Sequence, residues 1–165
     1  MLANPDDAWS VIGDALRGAQ RSIDIYIYEI TGSAFCGALA DAASRGVSVR
    51  VLGSYRIDSQ GAYYEAQHCY RLLAAAGAAV QRCARDIFEF EHEKFWVVDN
   101  RTLFLSSGNA GATDFPTGAA VFPPPGHAGY RRVNRDHTVV LEQPALVAAY
   151  KQLMDEDWKR GTPFQ

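Results

Sequence analysis

Residues 15–52, ALRGAQRSIDIYIYEITGSAFCGALADAASRGVSVRVL, carry the pattern that decides the fold. In its first half, Ile23, Ile25 and Ile27 alternate with Asp24, Tyr26 and Tyr28 in a β-branched, aromatic run. Successive strand side chains point to opposite faces, so this run predicts a strand over 23–30. The period then changes. Phe35, Leu39 and Ala42 fall on one face of a helix over 33–45, and Gly46 is suited to its C-terminal stop. Val47–Leu52 returns to strand character. A strand, a helix and a second strand in succession imply a parallel pair with the helix packed on the sheet.

Working outward, Asn4-Pro5-Asp6-Asp7 has the composition of a helix start, with Asn4 as cap, Pro5 at the first helical position and carboxylates in the first turn. Trp9, Ile12, Leu16 and Ala19 supply that helix's apolar face. Beyond Leu52, residues 63–76 predict a helix stopped by Gly77, and 79–83 a short strand. Residues 94–98 and 102–106 predict a hairpin across the turn Asp99-Asn100-Arg101. Residues 111–130 are rich in glycine and proline and predict a long irregular loop, a kind of segment that is often functional. A strand over 137–141 and a helix over 144–159, with Leu146, Tyr150, Leu153 and Trp158 inward, close the chain. The expected class is α/β: one domain over 1–165, an α-β-α sandwich around a central mixed, largely parallel sheet.

Composition narrows the chemistry. The 165 residues are 48% hydrophobic and 21% charged, an ordinary globular balance. A formal net charge of −3 argues against binding nucleic acid by bulk charge, while leaving room for a local basic groove. Cys36, Cys69 and Cys83 form no CxxC pair, so neither a disulfide framework nor a zinc ribbon is expected, and buried thiols in a reducing compartment are. No segment has the length and apolarity of a membrane span, and the N-terminus lacks the pattern of a signal peptide. The expectation is a soluble protein, with the cytoplasm the favoured compartment.

The chemistry concentrates in Glu89-Phe90-Glu91-His92-Glu93-Lys94-Phe95, where a His and a Lys sit among three glutamates. On a strand, His92 and Lys94 share one face, while Glu91, Glu93 and Phe95 take the other. The neighbouring carboxylates therefore need not neutralise Lys94. Ser107-Gly108-Asn109, at the end of the hairpin, brings a hydroxyl and an amide towards the same place. Imidazole, ammonium, hydroxyl and amide together suit an oxyanion such as a phosphodiester, and a nucleophilic imidazole needs no metal. A metal reading of Glu91, His92 and Glu93 is disfavoured, because adjacent strand residues diverge and HExxH is absent.

His92-x-Lys94-x4-Asp99 followed by Ser107-x-Asn109 closely resembles the HxKxxxxD…(G/S)SxN signature of the phospholipase D superfamily. The flanks resemble it too: residues 15–30 its first helix and strand, 38–52 its second pair, and 134–158 its closing strand and helix. The resemblance implies the roles. His92 is the expected nucleophile, forming a phosphohistidine. Lys94 and Asn109 grip the nonbridging oxygens with help from Ser107. Asp99 is a structural residue of the hairpin turn, remote from phosphate. Asp136 matches the acid that orients the nucleophile's other ring nitrogen. Ser106 departs from the pattern, standing where the family most often has Gly, and the segment between Asn109 and Asn134 is longer than expected.

The resemblance implies no cofactor and no metal. It also implies that one motif is half a site, since a second His must protonate the leaving group. That His comes from a second copy in a homodimer, or from a second motif in a longer chain. Three functions follow. The favoured one is hydrolysis or headgroup transfer on a phospholipid, with peripheral membrane contact through the apolar segment 119–125. The alternatives are a nonspecific nuclease of the single-motif dimeric type and a non-catalytic half-domain. The remaining candidates have blander readings: His68 as a packed or surface residue, His127 as loop polarity, His137 as structural, Tyr26 and Tyr28 as packing with Tyr28 ending near the site, and Arg131, Arg132 and Arg135 as a solvated cluster.

Overall fold

A computed structural model describes residues 1–117 and 133–165. The segment containing His127, the Arg131–Arg132 pair and the apolar run 119–125 lies outside the described residues. Among the described residues, four helices flank an eight-stranded sheet. The strands are β1 (Leu2–Asn4), β2 (Ser22–Ile27), β3 (Ser48–Gly53), β4 (Ala79–Arg82), β5 (Lys94–Val98), β6 (Thr102–Ser106), β7 (Asp136–Leu141) and β8 (Thr162–Pro163). The helices are α1 (Ala8–Gly18), α2 (Ser33–Ser44), α3 (Gln60–Ala75) and α4 (Pro144–Trp158). Sheet order is β1-β7-β6-β5-β2-β3-β4-β8.

The sheet is mixed, as expected, but its parallel share is smaller than "largely parallel". Only β2–β3 and β3–β4 pair parallel; β1–β7, β7–β6, β6–β5, β5–β2 and β4–β8 are antiparallel among the described residues. The reason is connection length. α2 and α3 are crossovers that allow parallel return, whereas the three-residue turn after β5 forces reversal.

Alternation in β2 divides the core. Ile23, Ile25 and Ile27 face α1, α2 and α3, meeting Ile12, Leu16, Phe35, Leu39 and Tyr70. Tyr26 faces the opposite side with Leu52, Phe95, Val97 and Leu103, under Val147 and Met154 of α4. The α-β-α sandwich follows from this one strand having two buried faces.

Three expectations shift. Asn4 is a residue of β1, not a helix cap: the 2–4 segment adds to the edge of the sheet beside β7, so α1 begins at Ala8 with Asp7 in the cap position. Asp7 Oδ1 instead accepts from the Ala3 amide at 2.9 Å. The buried stripe of α4 is Val147, Met154 and Asp157, with Tyr150 and Trp158 partly covered; Leu146 and Leu153 are exposed. Finally, Cys36 and Cys69 form a disulfide between α2 and α3, their Cα atoms 5.8 Å apart, and only Cys83 is a free buried thiol. Spacing did not announce the bridge, because the two residues meet only through packing of α2 on α3.

Candidate active site

The site forms where β5 begins and β6 ends. Glu91, His92 and Glu93 lead into β5 without belonging to the strand, and Lys94 is its first residue. His92 is exposed and Lys94 is 8% exposed. Lys94 Nζ lies 2.9 Å from His92 Nδ1 and donates to the His92 carbonyl at 2.9 Å, so the basic pair is one contacting unit. Tyr28, just past β2, packs its ring 4.8 Å from the imidazole, and Lys94 Nζ lies 5.6 Å from the same ring. The Tyr28 hydroxyl accepts from the Asp58 amide at 3.0 Å, which fixes the ring.

Burial holds the Lys94 ammonium below its ordinary pKa, against the opposing pull of Glu91, Glu29, Glu93 and Asp114. The His92 imidazole is lowered as well, first by burial and then by the positive charge of Lys94. The His92 shift favours an uncharged imidazole, the form able to act as a nucleophile.

The hairpin brings the polar set to the same end. Asn109 Nδ2 donates to Glu29 Oε1 at 3.1 Å, while Asn109 Oδ1 is buried without a hydrogen bond. Burial, then the nearby Asp114 charge, raises the Glu29 carboxyl. Ser107 Oγ donates to Asp136 Oδ1 at 2.8 Å and accepts from the His137 amide at 3.2 Å. Ser106 makes up for the missing glycine by accepting from the Gly108 amide and from Thr138 Oγ1, each at 3.1 Å. Gly108 is tightly enclosed: a Cβ there would lie 3.0 Å from Asp114 and 3.1 Å from Asp136, so those carboxylates would have to shift by a few tenths of an ångström.

The structure thus brings His92 and Lys94 together, and Ser107 and Asp136 together. Among the described hydrogen bonds, none joins Asp136 to His92. Asp136 pairs with Ser107 and faces Asp114, whose carboxyl is raised first by burial and also by Asp136, while Asn134 and Thr113 bonds oppose the rise. Asp99 stands at the far end of β5, five residues and about 16 Å from Lys94 at strand rise. There its carboxylate accepts from the amides of Gln20, Arg21 and Ser22. His68 and His137 are exposed; Arg135 is paired with Asp6.

Sequence reasoning missed Glu29 and Asp114. Glu29 follows directly from the β2 register, two residues past the last strand position, and was legible in principle. Asp114 lies in an irregular loop whose path no periodicity reveals. The face opposite His92 and Lys94 is not solvent throughout: Glu91 is 6% exposed, beneath α4 and beside Cys83 and Tyr26. Burial pushes its carboxyl up to about 8, only partly offset by a bond from the Glu93 amide.

Comparison with known proteins agrees with this architecture. The family model described as "Cardiolipin synthase, PLD-like domain" matches residues 12–158. The mitochondrial cardiolipin hydrolase of Chlamydomonas reinhardtii is 26% identical over 145 residues, covering 88% of this chain and 55% of that protein, so the chain spans about half of that relative's length. Among solved structures, the phospholipase D family member Nuc from Salmonella typhimurium superposes with a TM-score of 0.77 at 21% identity, covering 99% of this chain and 95% of Nuc. NucT from Helicobacter pylori superposes with a TM-score of 0.69 at 16% identity, covering 96% of this chain and 91% of NucT. With the family model spanning both crossover helices, the hairpin and α4, the chain belongs to the phospholipase D superfamily as a PLD-like domain.

Proposed function

We propose that this protein is a metal-independent phosphodiesterase that works through a covalent phosphohistidine on His92. The observation that carries the reading is the 2.9 Å contact between Lys94 Nζ and His92 Nδ1, beside an Asn109 amide tethered by Glu29. In the free protein an ammonium donating to Nδ1 leaves the imidazole proton on Nε2. A bound phosphodiester offers Lys94 a stronger acceptor. As Nζ turns to a nonbridging oxygen, the ring proton moves from Nε2 to Nδ1, which frees the Nε2 lone pair. Nε2 then attacks phosphorus, the bond to the leaving alcohol breaks, and the departing oxygen takes a proton from a second imidazole. That second group, now a base, removes a proton from water, which attacks phosphorus and cleaves the P–N bond. Lys94, Asn109 and Ser107 offset charge on the phosphoryl oxygens in both steps.

Among the described residues, no second imidazole is recorded against His92, so the second histidine is assigned to another copy of the chain or to a second motif in a longer protein. A phospholipid is the favoured substrate. Glu89 and Glu93 flank His92 on an exposed loop, and the chain carries a net charge of −3, both unfavourable to a polyanion. The match to a cardiolipin hydrolase points the same way. No helix among the described residues is long and apolar enough to cross a membrane. The nuclease reading would use Arg56 and Arg85, beside Phe90 and Tyr55, as its phosphate contacts.

The test is a parallel assay of phosphatidylcholine vesicles and plasmid DNA with wild type and His92→Ala, with and without EDTA. Lipid cleavage that survives EDTA and vanishes in the variant is the expected result. Chelator sensitivity overturns the mechanism, and DNA cleavage lost in the variant reassigns the substrate.

A further inference from the structure

Between α2 and α3 runs a cleft of about 750 Å³ that phosphoryl transfer leaves unused. Gly37 and Ala40 of α2 line one side, Tyr64 and Leu72 of α3 the other, and the buried Cys36–Cys69 bridge joins the two helices within it. Among the described lining residues there is neither lysine nor arginine, and Glu65 is the one carboxylate. Tyr64 is 61% exposed and Leu72 48%, so two large apolar side chains stand uncovered along one helix. A Cβ added at Gly37 would meet nothing within 4 Å, so the space there is open. One end of the cleft reaches the candidate active site. Thr31 and Gly32 line it, and their amides donate at 3.1 and 2.9 Å to the carbonyl of Ala110, the residue after Asn109. Thr31 also lies two residues past Glu29, which holds the Asn109 amide.

The chemistry of these walls selects the occupant. Its size and its mostly apolar lining with a few polar groups are those of a small-molecule site. A polyanion finds no cation among the described lining residues. An extended peptide needs free backbone donors and acceptors, and those of α2 and α3 are committed to their own helical bonds. A second copy needs about 800 Å² and roughly 20–30 residues on each side, far more than Tyr64, Leu72 and the short side chains between them supply. A hydrocarbon chain has no polar group to satisfy and gains from every CH2 it buries. The clefts beside Arg56 and Arg85, and beside Lys151 and Asp155, carry charged walls that suit such a chain poorly. The disulfide ties α2 to α3, so this cleft is formed before anything enters it.

We propose that the α2–α3 cleft holds an acyl chain of a lipid substrate while the phosphodiester lies before His92. The proposal rests on the phospholipid reading for its place in catalysis, but not for the binding of hydrocarbon. The chain enters past Thr31 and Gly32, beside the segment that carries Asn109, and runs between α2 and α3 along Gly37, Ala40 and Leu72.

Two measurements separate this proposal from the reading beneath it. The first is NMR titration with hexanol, octanol and decanol, straight-chain probes that carry no phosphate. Each added CH2 should tighten binding about two- to fourfold, with saturable shifts centred on residues 32–40 and 64–72. Gly37→Leu fills the open space from the helix itself and should flatten the series without lowering Tm, since leucine is the better helix former. Leu72→Gln, at an exposed position, should weaken decanol binding several-fold. The second is turnover of monomeric phosphatidylcholines from dibutanoyl to diheptanoyl, beside bis(p-nitrophenyl) phosphate. In wild type kcat/KM should rise with chain length; in Gly37→Leu it should stay level, with bis(p-nitrophenyl) phosphate turnover unchanged. Affinity indifferent to chain length, or a series unmoved by both substitutions, overturns the acyl site. So does a dimer in sedimentation that Gly37→Leu dissociates while the alcohols do not bind. Diester cleavage without chain-length preference removes the site and leaves the phosphodiesterase reading standing. Chain-length-dependent binding by a protein that cleaves no diester does the reverse.

Discussion

Replacing Asp99 should destabilise the fold and leave the chemistry of the folded molecule intact. Asp99 and Asn100 form the β5–β6 turn with φ of 55° and 56°, the left-handed pair that a tight hairpin turn needs. The Asp99 carboxylate accepts from three consecutive amides, Gln20 at 3.1 Å, Arg21 at 2.7 Å and Ser22 at 3.1 Å, clamping the link between α1 and β2 to the hairpin. Charge-assisted bonds contribute about 1.5–3 kcal/mol each when dry, and solvent at this turn brings each nearer 0.5–1 kcal/mol. Removing all three costs about 2 kcal/mol, and alanine in a left-handed conformation adds about 1 kcal/mol. Asp99→Ala should therefore lose about 3 kcal/mol, or roughly 6–12 °C in Tm for a chain of this size. Asp99→Gly, free of the strain, should lose about 2 kcal/mol. Asp99→Asn, which tolerates the conformation and keeps one acceptor oxygen, should lose least. Urea unfolding with an unchanged m-value gives the ranking, and kcat/KM per folded molecule should stay within about twofold. Burial is the largest single influence and raises the carboxyl, but the amide bonds from Arg21, Ser22 and Gln20 together outweigh it and hold the group below its ordinary value. A lowered folded pKa contributes stability above the unfolded value and loses it as pH falls, so the gap between wild type and Asp99→Ala should close below about pH 4. An alanine variant within 0.5 kcal/mol of wild type, or glycine as damaging as alanine, refutes the reasoning.

Two further perturbations follow from the corrected positions. Glu91, raised by burial to about 8, is favourable in its protonated form: that contribution is complete below the unfolded pKa and lost as pH rises towards 8. Wild type should lose a few kcal/mol between about pH 4.5 and 8, and Glu91→Gln should flatten this slope in chemical-denaturation curves; an identical slope in both proteins counts against the assignment. The Cys36–Cys69 bridge closes a span of 33 residues, worth roughly 3–4 kcal/mol by loop-closure entropy. Intact-mass analysis before and after reduction should register the bond. The double serine variant should unfold at lower urea, and free thiols at both positions in unreduced protein rule the bridge out.

How far the fold could be read from sequence depended on how local each signal was. β2, α2 and β3 follow from a period that changes from two to nearly four and back within residues 23–52, and all three formed. β1 and β8 carry three and two residues, too short for any period, and exist because sheet edges were available beside β7 and β4. The sequence pattern placed α4 but misjudged its face, because Leu146 and Leu153 compete with Val147 and Met154 for the inward stripe. Only the sheet surface it packs on decides between them. Within the site, the His92–Lys94 pairing was legible from alternation. Asp136 was expected near the imidazole and stands against Ser107 and Asp114 instead, a matter of loop path that spacing does not encode.

The acidic row around His92 shows that sequence parity does not fix environment. Glu89, Glu91 and Glu93 share a parity, yet the side chain of Glu89 is 88% exposed with Arg56 as its partner, Glu91 is sealed under α4, and Glu93 remains at the surface. What separates them is the helix covering the strand, which reaches Glu91 through Asp157 and Leu153. The same cover limits what the basic pair can do alone. Among the described residues no acid is hydrogen-bonded to the imidazole, and the hydrogen-bond partner on the His92 ring is Lys94. In the mechanism proposed above, an imidazole whose ring proton is held on Nε2 by a neighbouring ammonium cannot attack until that ammonium finds a better acceptor. On this reading the phosphodiester does not meet an activated histidine; by drawing Lys94 away it creates one, and the protein has little capacity for reaction with anything that lacks a phosphate to offer.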